Sequence, residues 1–111
     1  MSEDRSDDPK YLSWARAVKV KSDFICDICH KKDVYLESHH KNSWDWDISG
    51  RYDLSNSACL CKFCHQSFHK IFGYGGNHSY QFEQFKKIYL IFKNIISSSL
   101  SISPSLNASE K

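Results

Sequence analysis

Two cysteine pairs set the strongest constraint on how this chain folds. Cys26 and Cys29 form one C-x2-C pair, Cys61 and Cys64 form another, and 31 residues lie between the pairs. Two residues between the sulfurs let a tight turn aim both at one ion, and two such turns complete a tetrahedral zinc site. Four thiolates leave no ligand position for water. We therefore predict a structural Zn²⁺ that stabilises a chain with a small core.

A disulfide framework is the alternative for such a cysteine set. The first residues, MSEDRSDDP, are acidic and lack the apolar segment of a secretory signal. We therefore expect a cytoplasmic location, where reduced cysteines bind metal more often than they form disulfides. The fifth cysteine, Cys59, would share a face with Cys61 in an extended segment, but it fits better as a core residue. No run is long enough to span a membrane, so no membrane partner is expected.

The length allows one compact domain, and the helix and strand patterns along the chain predict a small α+β domain with flanking helices. Residues 1–9 are expected to be a disordered acidic N-terminus, residues 10–97 the folded domain with its motif core at 24–72, and residues 98–111 a disordered serine-rich tail. Beyond the first nine residues the chain keeps 14 Lys and Arg against 9 Asp and Glu. This excess weakly favours an anionic partner.

Two amphipathic helices are predicted to flank the motif core. The first begins with Asp8 as N-cap and Pro9 in the first turn. Its apolar stripe has helical spacing and consists of Tyr11, Trp14, Ala15 and Val18. The last helix runs from about 79 to 97, with a buried stripe of Phe82, Phe85, Tyr89, Phe92 and Ile96. It is wide enough in apolar surface to dock on the domain or on a second copy, which would make a homodimer.

The histidines are clustered around the second cysteine pair and a predicted strand over residues 34–40. His39 and His40 end that strand, where consecutive side chains point to opposite sides. His65 and His69 are four residues apart in a predicted short helix, so both can address one point. One member of the His39–His40 pair can ligate a metal while the other takes a proton from water. A metal, a neutral imidazole and a basic surface together suit phosphodiester hydrolysis.

Three segments containing these histidines resemble the motif of the HNH endonucleases. They are Glu37-Ser38-His39-His40, then Arg51-Tyr52-Asp53-Leu54-Ser55-Asn56, then Leu60 to His69. The run CHQSFHKIFGYGGN looks most like the small free-standing HNH enzymes of bacteriophages, many of them homing-type. The resemblance implies a zinc-stabilised ββα-metal fold, in which a two-stranded hairpin and a helix hold one divalent cation. It covers roughly residues 13–90.

The resemblance also implies a role for each matching residue. His40 would be the general base that activates water, and His39 and His65 would be metal ligands. Asn56 would not bind metal but would hydrogen-bond across the hairpin loop to fix the strand that bears His40. His69 would complete the metal shell or contact the scissile phosphate. The products would carry 5′-phosphate and 3′-hydroxyl ends.

Position 39 is where this chain departs from many family members, which place an aspartate before the base histidine. A histidine there makes the metal shell rich in imidazole and tolerant of Mn²⁺, Ni²⁺, Co²⁺ or Zn²⁺ as well as Mg²⁺. The expected macromolecular partner is DNA. The cationic side chains assigned to its contact are Arg16, Lys19, Lys41, Arg51 and Lys70. Trp44 and Trp46, in the hairpin loop, either stack on nucleic acid or pack against a zinc turn.

The predicted function is therefore a metal-dependent DNA endonuclease of phage homing type, located in the host cytoplasm. The main alternative is a catalytically silent zinc module that binds nucleic acid, which the cysteines alone would permit. A secreted bacteriocin-type nuclease would need a translocation region, and nothing supports a virion structural protein. Homing needs extended recognition, which here would come from the first helix, the hairpin loop and the C-terminal helix. Loose recognition or nicking fits these elements best.

Overall fold

The computed structural model describes residues 5–102, with the backbone alone at residues 6 and 98–102. Three α-helices and one antiparallel hairpin make up the α+β fold: α1 (Pro9–Lys21), β1 (Leu36–His40), β2 (Ser57–Cys61), α2 (Lys62–Phe72) and α3 (Ser79–Ile102). Short 3-10 turns occur at Arg5–Asp7, Ile48–Gly50 and Leu54–Asn56. The disorder expected for residues 1–4 and 103–111 concerns residues outside the described part of the chain.

The helix α1 starts as its sequence predicts and packs on one face of the hairpin. Asp8 accepts a hydrogen bond from the backbone N–H of Lys10, and Pro9 occupies the first turn. Trp14 and Val18 are the buried members of the apolar stripe. The hydroxyl of Ser38 on β1 donates to the carbonyl of Ala15 at 2.6 Å. This hydrogen bond ties the helix to the strand that bears the histidines.

The hairpin carries His39 and His40 at the end of β1 and Cys61 at the end of β2. Its register pairs His39 with Ala58 and His40 with Ser57. The chain passes directly from Cys61 into α2, whose amphipathic sequence lays Phe68 into the core. The core lies between α1, the hairpin, α2 and the start of α3, and buries Leu60 and Phe68 completely. The α2 helix ends at Gly73, whose φ of 84° favours glycine.

Several boundaries differ from the sequence predictions. The strand β1 begins at Leu36 rather than at residue 34, because Val34 and Tyr35 are exposed and unpaired in the sheet. The N-terminal segment is structured from Arg5 onward, since a 3-10 turn precedes the Asp8 cap. Helix α3 continues to Ile102, five residues beyond the predicted end at residue 97.

The buried stripe predicted for α3 is correct only for its first half. Phe82 and Phe85 are buried and Tyr89 packs partly against the core. Phe92 is 62% exposed and Ile96 44% exposed, because the helix projects past the end of the domain. None of the helices in residues 5–102 is long and apolar enough to cross a membrane.

Candidate functional site

The four paired cysteines converge on one point. Their sulfurs lie within 4.8 Å of one another, and those of Cys29 and Cys61 are 3.7 Å apart. Two sulfurs about 2.3 Å from one zinc ion in tetrahedral geometry would be separated by about 3.8 Å. The five cysteines, all within the described residues, form no disulfide. The four cysteines are therefore positioned to form a structural metal site, and the disulfide alternative is wrong.

Hydrogen bonds to the backbone hold both cysteine turns in place. The Asp27 carboxylate accepts from the backbone N–H of Cys59 at 2.8 Å, and the Asp27 N–H donates to the Cys59 carbonyl. The Cys61 sulfur accepts from the N–H of Cys64 at 3.4 Å. The hydrogen bond between the sulfurs of Cys26 and Cys64 lowers the pKa of Cys26 and raises that of Cys64, so in the absence of a metal the two sulfurs share one proton.

Cys59 lies next to this centre without belonging to it. Its side chain is completely buried, as the sequence analysis expects of a core residue. Burial, with a smaller contribution from the Asp27 carboxylate, raises the pKa of Cys59 to about 11. The thiol therefore stays protonated and packs as a small apolar group.

Three histidines form a second candidate metal centre on the hairpin face that α2 covers. Nδ1 of His39 lies 3.3 Å from Nε2 of His65, which lies 3.2 Å from Nε2 of His69. Nitrogens about 2.1 Å from a shared ion would be about 3.4 Å apart in tetrahedral geometry. The spacing of the donors therefore fits one divalent cation.

The hydrogen bonds behind the rings support this assignment. Nδ1 of His65 donates to the carboxylate of Glu37 at 2.7 Å, and Nδ1 of His69 donates to the carbonyl of Gly73 at 2.9 Å. In a neutral ring the proton is then on Nδ1, so Nε2 of each histidine carries a lone pair and no proton. Two lone pairs 3.2 Å apart repel each other unless a cation lies between them. The donor set therefore fits a bound metal ion better than it fits a hydrogen-bonded cluster.

Burial keeps His39 in the form that a metal requires. Its ring is 3% exposed and lies against Phe68 and Phe82. Burial lowers the pKa of His39 well below the usual histidine value, so the imidazole is neutral and can donate a lone pair. Its Nε2 atom is buried without a hydrogen-bond partner. Nε2 lacks a partner because the ring is turned so that Nδ1, its other nitrogen, faces His65 on α2.

His40 occupies the opposite face of β1. Its ring stacks on Trp14 with centroids 3.9 Å apart, and its Nε2 donates to the carbonyl of Arg51 at 2.8 Å. A carbonyl can only accept, so the proton resides on Nε2 and Nδ1 carries the lone pair. Burial lowers the pKa of His40, which keeps that lone pair available at neutral pH.

Asn56 bridges the two ends of the hairpin loop. Its side-chain oxygen accepts from the N–H of Asn42 at 2.8 Å, and its amide donates to the carbonyls of Asn42 at 3.0 Å and Gly50 at 3.2 Å. The residue is 8% exposed. Asn42 lies two residues after His40, and Gly50 directly precedes Arg51. The bonds from Asn56 therefore fix the position of the Arg51 carbonyl relative to His40.

One cavity of about 950 Å³ is lined both by the three converging histidines and by His40. Its lining includes His39, His40, His65 and His69. Of the five cationic residues assigned to DNA contact, only Arg51 lines this cavity. Arg16 and Lys19 lie on α1, Lys70 is exposed on α2, and Lys41 follows β1 with its ammonium 5.2 Å from the ring centre of Phe82.

The loop aromatics do not contact the cysteine turns. Trp44 packs edge-on against Tyr11 and Tyr52 beside His40. Trp46 donates to the carbonyl of Asn77 and is 44% exposed. Packing of these tryptophans against a zinc turn, one of the two alternatives, is therefore wrong.

Two cavity residues, Glu37 and Arg5, were missed by the sequence predictions, and a third, Tyr74, was expected to belong to a polar loop. Glu37 orients His65, and Tyr74 stacks on His69 with ring centres 4.3 Å apart. Arg5 reaches the cavity from the turn before α1. The two-residue offset between Glu37 and His39 on a strand was an available signal, because such residues share a face. Nothing in the sequence pattern places Tyr74 or Arg5.

Comparison with known proteins agrees with the arrangement of these residues. The family model described as HNH endonuclease matches residues 26–70, which include both cysteine pairs, the four cavity histidines and Asn56. No curated protein and no solved structure matches the chain. The chain is therefore similar to the HNH endonucleases over residues 26–70, and the four-cysteine centre lies within that segment.

Proposed function

We propose that this protein is a metal-dependent endonuclease that hydrolyses DNA phosphodiester bonds, with His40 as the general base. The observation that carries the proposal is that three converging imidazoles and the lone-pair nitrogen of a fourth belong to one cavity. A site that only binds nucleic acid has no use for a buried imidazole with one nitrogen fixed and the other kept free. The family match supports nuclease chemistry in general.

His39, His65 and His69 would hold the catalytic divalent cation, which is Mg²⁺, Mn²⁺, Ni²⁺ or Zn²⁺. When bound, such an ion stabilises negative charge on the phosphoryl and leaving oxygens. Glu37 and the Gly73 carbonyl orient two of the ligands from behind, as outer-shell partners of metal-binding histidines usually do. Of the two roles open to His69, the 3.2 Å approach to His65 supports metal ligation.

His40 would act on the attacking water. Nδ1 takes a proton from the water as its oxygen attacks phosphorus, and the bond from phosphorus to the 3′ oxygen breaks. The products are a 5′-phosphate and, after protonation, a 3′-hydroxyl. The hydrogen bond from Nε2 to the Arg51 carbonyl stabilises the imidazolium that forms. Asn56 keeps the loop that carries this carbonyl in place.

DNA contact by Arg16, Lys19, Lys41, Arg51 and Lys70 belongs to the same proposal. Arg51 has the strongest support because it lines the cavity. The other four would contact phosphates outside it. The resemblance to free-standing phage enzymes supports a homing-type role in the cytoplasm of a host cell, where the cysteines stay reduced. Recognition by these surface cations alone would be loose, and a single copy would nick the duplex.

The projecting half of α3 supports a homodimer. Ile88, Ile91, Phe92 and Ile95 are each at least 46% exposed and follow one another at helical spacing. A continuous apolar stripe on a projecting helix marks an interaction surface. Two copies of the stripe would pair through the same residues, as in other twofold dimers. Such pairing would bring two cavities to one duplex and allow double-strand cleavage.

Cleavage of supercoiled plasmid tests the proposed activity. The protein, loaded with zinc at the cysteine site, is incubated with plasmid in EDTA or with added Mg²⁺, Mn²⁺ or Ni²⁺. Nicked or linear DNA that appears only with added metal supports the endonuclease. Binding without cleavage in every metal would contradict it and leave the catalytically silent zinc module as the remaining interpretation.

A further inference from the structure

Two arginines share one tryptophan on the His40 side of the cavity. The guanidinium carbon of Arg5 lies 4.3 Å from the ring centre of Trp44, and that of Arg51 lies 4.4 Å from it. The Trp44 ring is in turn 5.6 Å from the ring of His40. All four residues line the cavity. Two cations are therefore concentrated beside the nitrogen assigned to proton transfer.

Neither arginine has an anionic partner in the part of the chain that the structure describes. The ion pairs among those residues are His65 with Glu37 and Lys86 with Glu83. Nearby carboxylates are engaged elsewhere, because Asp8 caps α1 and Asp47 caps the turn at residues 48–50. Because both guanidinium carbons lie within 4.4 Å of one ring centre, the two like charges are less than about 9 Å apart, a separation comparable to the Debye length at physiological salt, and they repel each other. An anion that binds both would remove that repulsion.

The donor geometry suits a phosphate. Nε of Arg51 donates to the carbonyl of Trp44 at 2.9 Å, which fixes the guanidinium and leaves its two terminal nitrogens for a ligand. The cation–π contact with the indole limits the motion of each guanidinium group and uses none of its hydrogen-bond donors. Forks of this kind bind phosphate oxygens in pairs.

We propose that Arg5 and Arg51, held against Trp44, form a clamp for a backbone phosphate of the DNA strand in the cavity. The clamp rests on the proposed function and adds the N-terminal turn, residues 5–7, to the substrate site. Arg5 then binds DNA although it lies outside the family-matched segment, residues 26–70. The clamp places the strand on the His40 side, opposite the three metal-binding histidines.

Fluorescence anisotropy with a labelled duplex tests the clamp without requiring cleavage. The full chain, with zinc at the cysteine site and no other divalent ion added, is titrated at several salt concentrations between about 50 and 200 mM. The variants are Arg5→Gln and Arg5→Lys. Lys32→Gln is the matched control, because it also removes one positive charge, in this case from an exposed residue outside the cavity. Zinc content and melting temperature verify that each variant folds.

The clamp predicts that Arg5→Gln weakens duplex binding about 5- to 10-fold and lowers the salt slope by about 0.9. Arg5→Lys should recover only part of the affinity, because a lysine keeps the charge without the planar fork. Equal affinities and salt slopes for Arg5→Gln and Lys32→Gln would overturn the clamp. So would wild-type affinity in Arg5→Lys, which would reduce Arg5 to a general positive charge.

These outcomes are separable from failure of the proposed function. A wild-type protein that binds duplex and never cleaves it contradicts the endonuclease, whereas the anisotropy comparison still decides the clamp. A wild-type protein that cleaves while Arg5→Gln binds duplex as tightly as Lys32→Gln contradicts the clamp alone.

Discussion

His39 and His40 are adjacent in β1, yet their imidazoles lie on opposite faces of the hairpin. His39 lies against Phe68 of α2, whereas His40 stacks on Trp14 of α1. The strand alternation alone separates the two rings. A dipeptide can therefore supply a metal ligand to one wall of the cavity and a proton acceptor to the other. Both walls belong to the same cavity, so the two proposed functions would act on one substrate.

Removing the carboxylate behind His65 should weaken metal binding. In Glu37→Ala, Nδ1 of His65 loses its 2.7 Å partner, and the ring loses its fixed orientation. We expect the metal concentration for half-maximal cleavage to rise about 10- to 100-fold, as for other outer-shell partners of metal-binding histidines. Glu83→Ala is the control, because Glu83 forms only an exposed pair with Lys86. An unchanged metal titration in Glu37→Ala would contradict the role of Glu37.

Loss of the loop bridge should reduce both stability and activity. Asn56→Ala removes three hydrogen bonds and leaves the backbone groups of Asn42 and Gly50 without their partner. We expect the free energy of unfolding to fall by about 2–4 kcal/mol and the melting temperature by about 10 °C or more. Thermal denaturation measures this effect. The exposed Asn94→Ala should differ little from wild type, and a matching melting temperature for Asn56→Ala would refute the bridge.

The cysteine centre should be essential for folding, whereas the neighbouring Cys59 should not. Cys64→Ser removes one ligand of the four-sulfur cluster. We expect it to lose the structural zinc and the cooperative unfolding transition, because zinc binding supplies much of the folding free energy of such small domains. Cys59→Ala should keep the zinc of the wild type and lose about 1–2 kcal/mol from a small core cavity. Zinc analysis and circular dichroism distinguish the two variants.

A charge in the α3 stripe should dissociate the proposed dimer. Ile91 is 59% exposed in the single chain, so Ile91→Glu should leave the fold intact. We expect light scattering to give a dimer mass for the wild type and a monomer mass for this variant. Gln84→Glu is the control for added charge, because Gln84 is an exposed residue nearer the start of α3. A wild-type protein that stays monomeric at high concentration would contradict the dimer.

Local sequence signals were sufficient to predict the start of α1 and the cysteine cluster, because each signal consists of residues close together in the chain. Asp8 and Pro9 set the start of α1, and the C-x2-C spacing predicted the four-sulfur cluster. The predicted burial of Phe92 and Ile96 failed because amphipathic spacing does not report where the domain ends. The apolar pattern of α3 continues beyond the last residue that packs against the rest of the chain.

Contacts made only through the tertiary fold could not be predicted. Arg5 was assigned to a disordered terminus because its neighbours are acidic and polar, yet it packs on Trp44, which is far from it in the chain. The stacking of Tyr74 on His69 likewise depends on the turn at Gly73. The separation of His39 from His40 and the grouping of His65 with His69 were predictable, because strand and helix periodicities fix which rings share a face.

The most direct test of the central claim compares His40→Ala with wild type in plasmid cleavage. His78→Ala is the matched control, because His78 is exposed and lies outside the cavity. With zinc content and duplex affinity close to wild type, we expect His40→Ala to cleave about 10²- to 10⁴-fold more slowly and His78→Ala to cleave at the wild-type rate. Cleavage by His40→Ala at the wild-type rate would contradict the assignment of His40 as the general base.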